Sequence, residues 1–256
     1  MNIDKLMTDY TCNERISPLV LGFEKISTDY LVKFISDDQS SSHISYFNLD
    51  ENSADSVIKN EINYFKEKSK SFEWKVYGTD LPLNIGKKLI SHGFIKGEEE
   101  AFMVFDLQKS ADHFSNKNTN CVKVSNLNGI DDAIKVQEQV WNCDSSDLKT
   151  NLITQFNHLP DSLSIYVIYD GNKPISSAWI TFNGNSPFAG LWGGSTLAEY
   201  RGKGYYTDLL HVRACEANKR GIKYLTIDAS DMSKPIVEKH GFQYITYTIP
   251  YEYQFK

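Results

Sequence analysis

Between positions 199 and 207 the chain reads Glu-Tyr-Arg-Gly-Lys-Gly-Tyr-Tyr-Thr. Gly202 and Gly204 flank Lys203 and stand just ahead of a stretch with helical periodicity. Glycine lets consecutive backbone N–H groups turn toward one point, and a helix N-terminus adds its positive dipole. The chemistry this combination suits is anion binding, above all of a diphosphate. Lys203 would add a point charge, and Arg201 either contacts phosphate or braces the loop. Residues 201–223 carry Arg201, Lys203, Arg213, Lys219, Arg220 and Lys223 against only Asp208 and Glu216. The competing reading is a tight strand-to-helix turn with a solvated basic face. A dinucleotide fold fits poorly, because its glycine turn belongs to the first βαβ unit, with an acid about 20 positions later. The P-loop pattern GxxxxGK[ST] is absent.

The elements that must hold this turn can be read around it. CVKVSN at 121–126 alternates like a short strand, and 131–141 and 145–158 carry helical apolar faces. SLSIYVIYD and PISSAWITFN read as strands joined by the hairpin residues Asp170-Gly171-Asn172-Lys173. FAGLWGGSTL is a third strand, and a helix from Tyr205 to Lys219 buries Tyr206, Leu209, Leu210, Ala214 and Ala217.

The two halves share a pattern. FEWKVYG, LPLNIGKKLISHGF and EEEAFMVFDL in the first half match KYLTIDAS, MSKPIVEKHGF and YITYTIPYEYQF in the second. Each is a strand, a short helix, a Gly-Phe turn and an aromatic-rich strand. Gly93 and Gly241 are expected at the C′ position of their helices with positive φ. His92 and His240 read as last-turn residues that complement the helix dipole rather than as catalysts. One pair of copies indicates a duplicated domain, not a solenoid. The polar run 108–120 is the expected linker, giving domains 1–110 and 121–256.

Composition narrows the function. The 256 residues carry a net charge of −6. An acidic surface argues against nucleic acid. No apolar run approaches the roughly 18 residues needed to span a bilayer, so no membrane partner is expected, and MNIDKLMTDY has no secretory pattern. Cys12, Cys121, Cys143 and Cys215 lack paired spacing, so no metal site is expected and a cytoplasmic address is. Residues 1–120 are net −5 and residues 121–256 net −1.

Arg201-Gly202-Lys203-Gly204-Tyr205-Tyr206 resembles the signature of the GNAT N-acetyltransferases, Arg/Gln-x-x-Gly-x-Gly/Ala at a strand-to-helix turn, with Tyr206 replacing the small last residue. The run GGSTLAEYRGKGYYTDLL, the strand YLTIDAS and the helix ending in EKHGF follow the family's order of elements, from Cys121 to the C-terminus. The resemblance implies an α+β (mixed α/β) fold of two GNAT-like domains, the first degenerate. Each would be a mostly antiparallel sheet flanked by helices, with a splayed parallel strand pair in the C-terminal domain. It implies acetyl-CoA as cofactor, its pantetheine along Gly194, Ser195 and Thr196 and its diphosphate on Gly202, Lys203, Gly204, Tyr205, Tyr206 and Thr207. Ser230 or Asp231 falls where an Asn of the family contacts the cofactor. The acceptor would be a small amine or an exposed amino group that attacks the thioester directly, and Trp141, between the two early helices, is the candidate acceptor contact.

Two departures stand out. Val237 occupies the position of the Tyr that protonates the departing thiolate in many family members, and Thr226 the position nearest their general-base Glu. Glu199 and Asp228 are the nearest carboxylates and so the candidate bases. These departures motivate an alternative, a non-catalytic acetyl-CoA-binding sensor or regulatory protein. In the first half the signature would fall near Asn52, in LDENSADSV, which has no glycine and is acidic. Like charge would repel a diphosphate there, so no cofactor is expected in that half.

Overall fold

The computed structural model describes residues 2–18, 20–37, 42–109, 114 and 120–255. The first half runs α1 (Ile3–Tyr10), a π-helical turn (Thr11–Ile16), β1 (Phe23–Ser27), β2 (Leu31–Ser36), β3 (Ser42–Phe47), α2 (Ala54–Glu67), β4 (Phe72–Tyr77), α3 (Ile85–Ser91), β5 (Ile95–Lys96) and β6 (Glu100–Asp106). The second half continues with β7 (Cys121–Lys123), α4 (Leu127–Trp141), α5 (Ser146–His158), β8 (Leu163–Asp170), β9 (Lys173–Phe182), β10 (Phe188–Thr196), α6 (Tyr205–Lys219), β11 (Tyr224–Ala229), α7 (Lys234–Lys239) and β12 (Gln243–Tyr253). The class is mixed α/β, as the sequence indicates.

The chain forms two units, Met1–Met103 with Asp228–Lys256 and Val104–Ile227. The linker-based division places residues 228–256 with the second half; in the structure they group with the first. The reason is strand pairing. β12 runs antiparallel to β4, from Thr248 opposite Tyr77 to Tyr253 opposite Phe72. The end of β6 goes the other way: Leu107 N donates to Lys223 O at 2.9 Å, inside the second unit. Most of the expected linker lies outside the described residues.

In the first unit β1, β2, β3, β4 and β12 are successive neighbours. β3 and β4 are parallel for only three pairs, Ser42–Phe72 to Ile44–Trp74. Phe72, Trp74, Val76, Ile249 and Tyr251 share one face by period-two alternation and pack with Ile58 and Phe65 of α2 and Leu89 of α3. α2 buries Ala54, Val57, Ile58, Ile62 and Phe65, a helical stripe.

In the second unit β9 pairs antiparallel with β8 and β10, and β7 with β8. β10 and β11 are parallel from Phe188–Tyr224 to Gly190–Thr226 and then stop pairing, the splayed pair expected there. α4 is capped by Asn126, whose Oδ1 accepts from Gly129 N at 3.1 Å, and it packs Ile130, Ala133 and Ile134 among Ile165, Val167 and Trp179.

The repeated Gly-Phe turn has the same geometry in both copies. Gly93 has φ +94° and Gly241 φ +89°. Phe94 N bonds Leu89 O, and Phe242 N bonds Val237 O, each at 3.1 Å, the six-to-one bond of a Schellman ending. Both phenylalanines are buried. His92 ends α3 and meets Asp55 Oδ1 at 2.9 Å, a structural tie between α2 and α3.

Candidate functional site

β10 delivers the chain to the glycine turn. After Thr196 a short 3-10 turn (Ala198–Tyr200) leads into Arg201. Gly202 has φ +74° and Gly204 φ +89°, left-handed values that the missing Cβ permits. A Cβ at either position would meet nothing within 4 Å, so both glycines face open space. Gly204 is the N-cap of α6 and, as a glycine, brings no capping side chain of its own. The positive end of a 15-residue helix therefore stands at a turn of two unobstructed glycines, a geometry suited to an anion.

The flanking charges are arranged around this turn rather than in it. Arg201 Nε donates to Thr196 O at 3.1 Å, a bond that braces the loop. Lys203 Nζ lies 4.9 Å from the Tyr200 ring centroid, and Tyr200 Oη donates to Asp170 Oδ2 at 2.8 Å. Glu199 is exposed and ion-paired with Lys173 at 2.9 Å, a contact that lowers its pKa. The basic stretch 201–223 is not one solvated face: Arg213 is 1% exposed, and Arg220 bonds Glu216 at 2.6 Å.

Upstream, β10 carries an irregularity. Its register against β9 shifts between Trp192 and Ser195. Gly193 turns the chain with φ +59°, and a Cβ there would fall 1.8 Å from the Trp179 ring. A Cβ on Gly194 would meet the Tyr206 ring at 2.7 Å. Both glycines are thus needed for close packing at the segment expected to lie along the pantetheine. α4 pins this segment. Gln137 Nε2 donates to Gly193 O at 2.7 Å and to Ser177 Oγ at 2.9 Å. Ser195 Oγ donates to Gln137 Oε1 at 3.0 Å and accepts from Trp141 Nε1 at 3.2 Å. Ser176 Oγ bonds Ser195 O and lies 2.7 Å from Thr196 Oγ1. The structure therefore brings Trp141, half exposed, into contact with the strand that holds Gly194, Ser195 and Thr196.

Thr226 is buried and donates to Ala189 O at 3.4 Å. Val237 is fully buried in α7. Asp228, Ser230 and Asp231 belong to the first unit. Asp228 Oδ2 accepts from Lys75 Nζ at 2.5 Å. Ser230 O takes the amides of Ser233 and Lys234 at the turn into α7.

Two functional-looking residues were not singled out from the sequence, Arg213 having entered only as one of six basic residues. Gln137 sits within the apolar stripe of α4, and Arg213 within the stripe Leu209, Leu210, Ala214 and Ala217 of α6. A polar residue on an apolar face is the signal that marks both. Arg213 NH1 donates to Trp179 O and Trp192 O at 3.2 and 3.3 Å, next to the irregular segment. Among the described residues no carboxylate bonds it, and burial lowers its pKa to about 10.

The corresponding helix of the first unit is built differently. Asp50 Oδ1 accepts from Asn52 N at 2.9 Å, Ser53 N at 2.7 Å and Ser53 Oγ at 2.9 Å. The chain's own carboxylate thus takes the amides where α2 begins. Asp55, in the first turn, is tied to Lys88 and His92.

Comparison with solved structures places this fold. At TM-score 0.71 and 12% identity the chain is similar to a GCN5-related N-acetyltransferase from Kribbella flavida, over 98% of this chain and 95% of that one. A functionally unknown conserved protein from Staphylococcus epidermidis aligns at TM-score 0.70 and 13% identity over 96% and 98%. A tandem GNAT protein from the clavulanic acid biosynthesis pathway aligns at 0.61 and 11% over 100% and 88%. The fold, over nearly the whole chain, is that of GNAT acetyltransferases. No family model matches the sequence, and no curated protein matches it.

Proposed function

We propose that the protein is an acetyl-CoA-dependent N-acetyltransferase acting on a small amine or an exposed amino group. The observation that carries this reading is the contrast between two helix starts. α6 begins at a turn whose two left-handed glycines face open space, while just ahead of α2 the carboxylate of Asp50 takes the amides of Asn52 and Ser53. The residues present fit the cofactor: the turn Gly202–Thr207 would receive the diphosphate, and the backbone of Gly194, Ser195 and Thr196 the pantetheine. Acetyl-CoA, when bound, supplies the acyl group as an activated thioester.

The chain's own contribution is positioning. Gln137, Ser176 and Trp141 fix the end of β10, and Arg201 ties the glycine turn to Thr196. Holding two reactants in place raises their effective concentration and supplies much of the rate. Arg213 anchors the carbonyls of Trp179 and Trp192 and keeps a buried positive charge beside the irregular segment, which favours a developing oxyanion. Glu199 is a poor base, since Lys173 already stabilises its ionised form. Deprotonation of the acceptor then runs through water.

Val237 and Thr226 also support a second reading, an acetyl-CoA-binding sensor without turnover, because neither side chain can act as a general acid or base. Calorimetry with acetyl-CoA tests what the two share: no detectable binding would sink both. Gly204→Glu should abolish binding by placing a charge at the turn; surviving affinity would mean the diphosphate lies elsewhere. Thiol release with a panel of amines separates them, and turnover no faster than background hydrolysis would favour the sensor. Four free cysteines support a cytoplasmic address, and among the described residues no helix is long and apolar enough to cross a membrane.

A further inference from the structure

The core of the first unit is not filled at one edge. β4, β12 and the start of α3 line a cavity of about 140 Å³. Its apolar wall is Val76 of β4, Tyr247, Ile249 and Tyr251 of β12 and Ile85 of α3, all part of the core cluster or packed on it. Alternation puts the three β12 residues on one side of the strand, and Ile249 stands opposite Val76. Leu83, just ahead of α3, also lines the cavity and is 79% exposed, so solvent reaches the cavity there. An apolar cavity of about 150 Å³ takes up benzene.

Two polar groups at this wall lack partners. Tyr251 is 4% exposed, yet its hydroxyl makes no hydrogen bond with any described residue. Nor is that hydroxyl sealed in: Nε1 of Trp74, the residue opposite, is out of reach of solvent, and Tyr251 Oη is not. Gly86, another lining residue, makes room for it, since a Cβ there would fall 2.1 Å from Oη. An unpartnered hydroxyl in apolar surroundings is costly, and a ligand that accepts from it removes the cost. Burial raises the Tyr251 pKa, so the phenol stays protonated and able to donate. Lys87, next to Gly86, lines the same cavity and has no ion-pair partner among the described residues. Asp80 lines it too, but both its oxygens are taken, by two bonds of 2.8 Å from Arg15 and one of 2.9 Å from Tyr77 N. Glu99 also acts on Tyr251, but it is exposed and does not line the cavity, so solvent screens it.

We propose that this cavity binds a small aromatic carboxylate, with its ring against Val76, Tyr247 and Ile249 and its carboxylate between Tyr251 Oη and the Lys87 ammonium. The volume admits one ring, the apolar wall favours it, and a phenol donor beside an unpaired cation selects an anionic acceptor. The site does not rest on the acetyltransferase reading.

Ligand-detected NMR titration of the full chain tests it. Benzoate is the probe, acetate the carboxylate without a ring, and benzylamine the ring with the opposite charge. Saturable binding of benzoate, with no binding of acetate or benzylamine within tenfold of it, is the expected result. No saturable binding of benzoate, or binding of either comparison compound within tenfold, overturns the proposal. Tyr251→Phe keeps the ring and removes the hydroxyl. It should weaken benzoate about tenfold, the size of one hydrogen bond to a charged group. Its melting temperature should stay within about 2 °C of the wild type, since the protein loses no bond of its own. Unchanged affinity, or a larger fall in melting temperature, overturns the proposal. Lys87→Gln, at an exposed position, should weaken benzoate several-fold, and unchanged affinity there overturns the proposal as well. Benzoate lost with Gly204→Glu but kept with Tyr251→Phe would place it at the glycine turn and overturn the proposal too.

Discussion

At the level of single residues, the sharpest demands come from positions where the backbone leaves no choice. Gly193 combines a left-handed φ with a Trp179 ring 1.8 Å from where a Cβ would stand. Gly193→Ala should therefore cost about 2–4 kcal/mol, from overpacking and backbone strain together. It should also loosen the segment that Gln137 and Trp141 hold. Chemical denaturation reads the first effect, and a midpoint equal to that of the wild type would show that the Trp179 ring yields freely. Arg15 makes a comparable demand by charge. Its guanidinium meets Asp80 through two bonds of 2.8 Å, with both side chains almost wholly buried. Arg15→Ala would strand Asp80 and should cost about 3–5 kcal/mol, whereas losing an exposed, solvent-screened pair such as Lys173–Glu199 should cost far less. A denaturation midpoint for Arg15→Ala no lower than that of Lys173→Ala would contradict this.

At the level of elements, two polar side chains tie strands to their neighbours and respond to acid at different pH. His43 on β3 stacks on Phe34 with centroids 5.0 Å apart, and burial lowers its pKa from 6.5 to about 4. The unfolded chain therefore takes up this proton first. Its contribution is complete above pH 6.5 and is lost as the pH falls toward 4, on the order of 3 kcal/mol. Glu216 on α6 is reached by Ser164, Tyr166, Lys123 and Arg220. Burial opposes its ionisation, but the bonds from Tyr166, Lys123 and Ser164 outweigh it and lower the pKa from 4.5 to about 2. That contribution is complete above pH 4.5 and fades toward 2. Stability measured against pH should fall in two stages. His43→Phe should remove the upper stage and Glu216→Gln the lower; a curve unchanged by either substitution would refute the assignment.

Elements and turns were legible in the sequence because they rest on local rules. The span Tyr205–Lys219 of α6 follows from its apolar spacing, and Gly93 and Gly241 from the geometry a helix ending requires. The glycine turn was legible for the same reason. Arg213 and Gln137 were not singled out, although each interrupts an apolar stripe, because their carbonyl and serine partners lie on strands distant in sequence. The pairing of Glu73 with Glu252 depends on a register between strands far apart in the sequence, which no local pattern encodes.

The same distance decides how the whole molecule can be divided. A duplicated sequence invites the expectation that each copy folds alone, yet β12 completes the unit built on β4. A fragment of residues 121–256 would carry β12 without its partner strand, leaving aromatic, β-rich sequence as an open edge. A fragment of residues 1–110 would expose β4, the strand that holds Phe72, Trp74 and Val76 in the core. Each fragment alone should be poorly folded and prone to associate, with weak near-ultraviolet circular dichroism. Mixed in equal amounts, the two should recover the spectrum of the full chain and melt together, because β12 then regains β4. Independent, cooperative melting of each fragment at the full chain's temperature would show that the exchange of the final strand is dispensable. The two copies would then be domains in the energetic sense as well as in sequence.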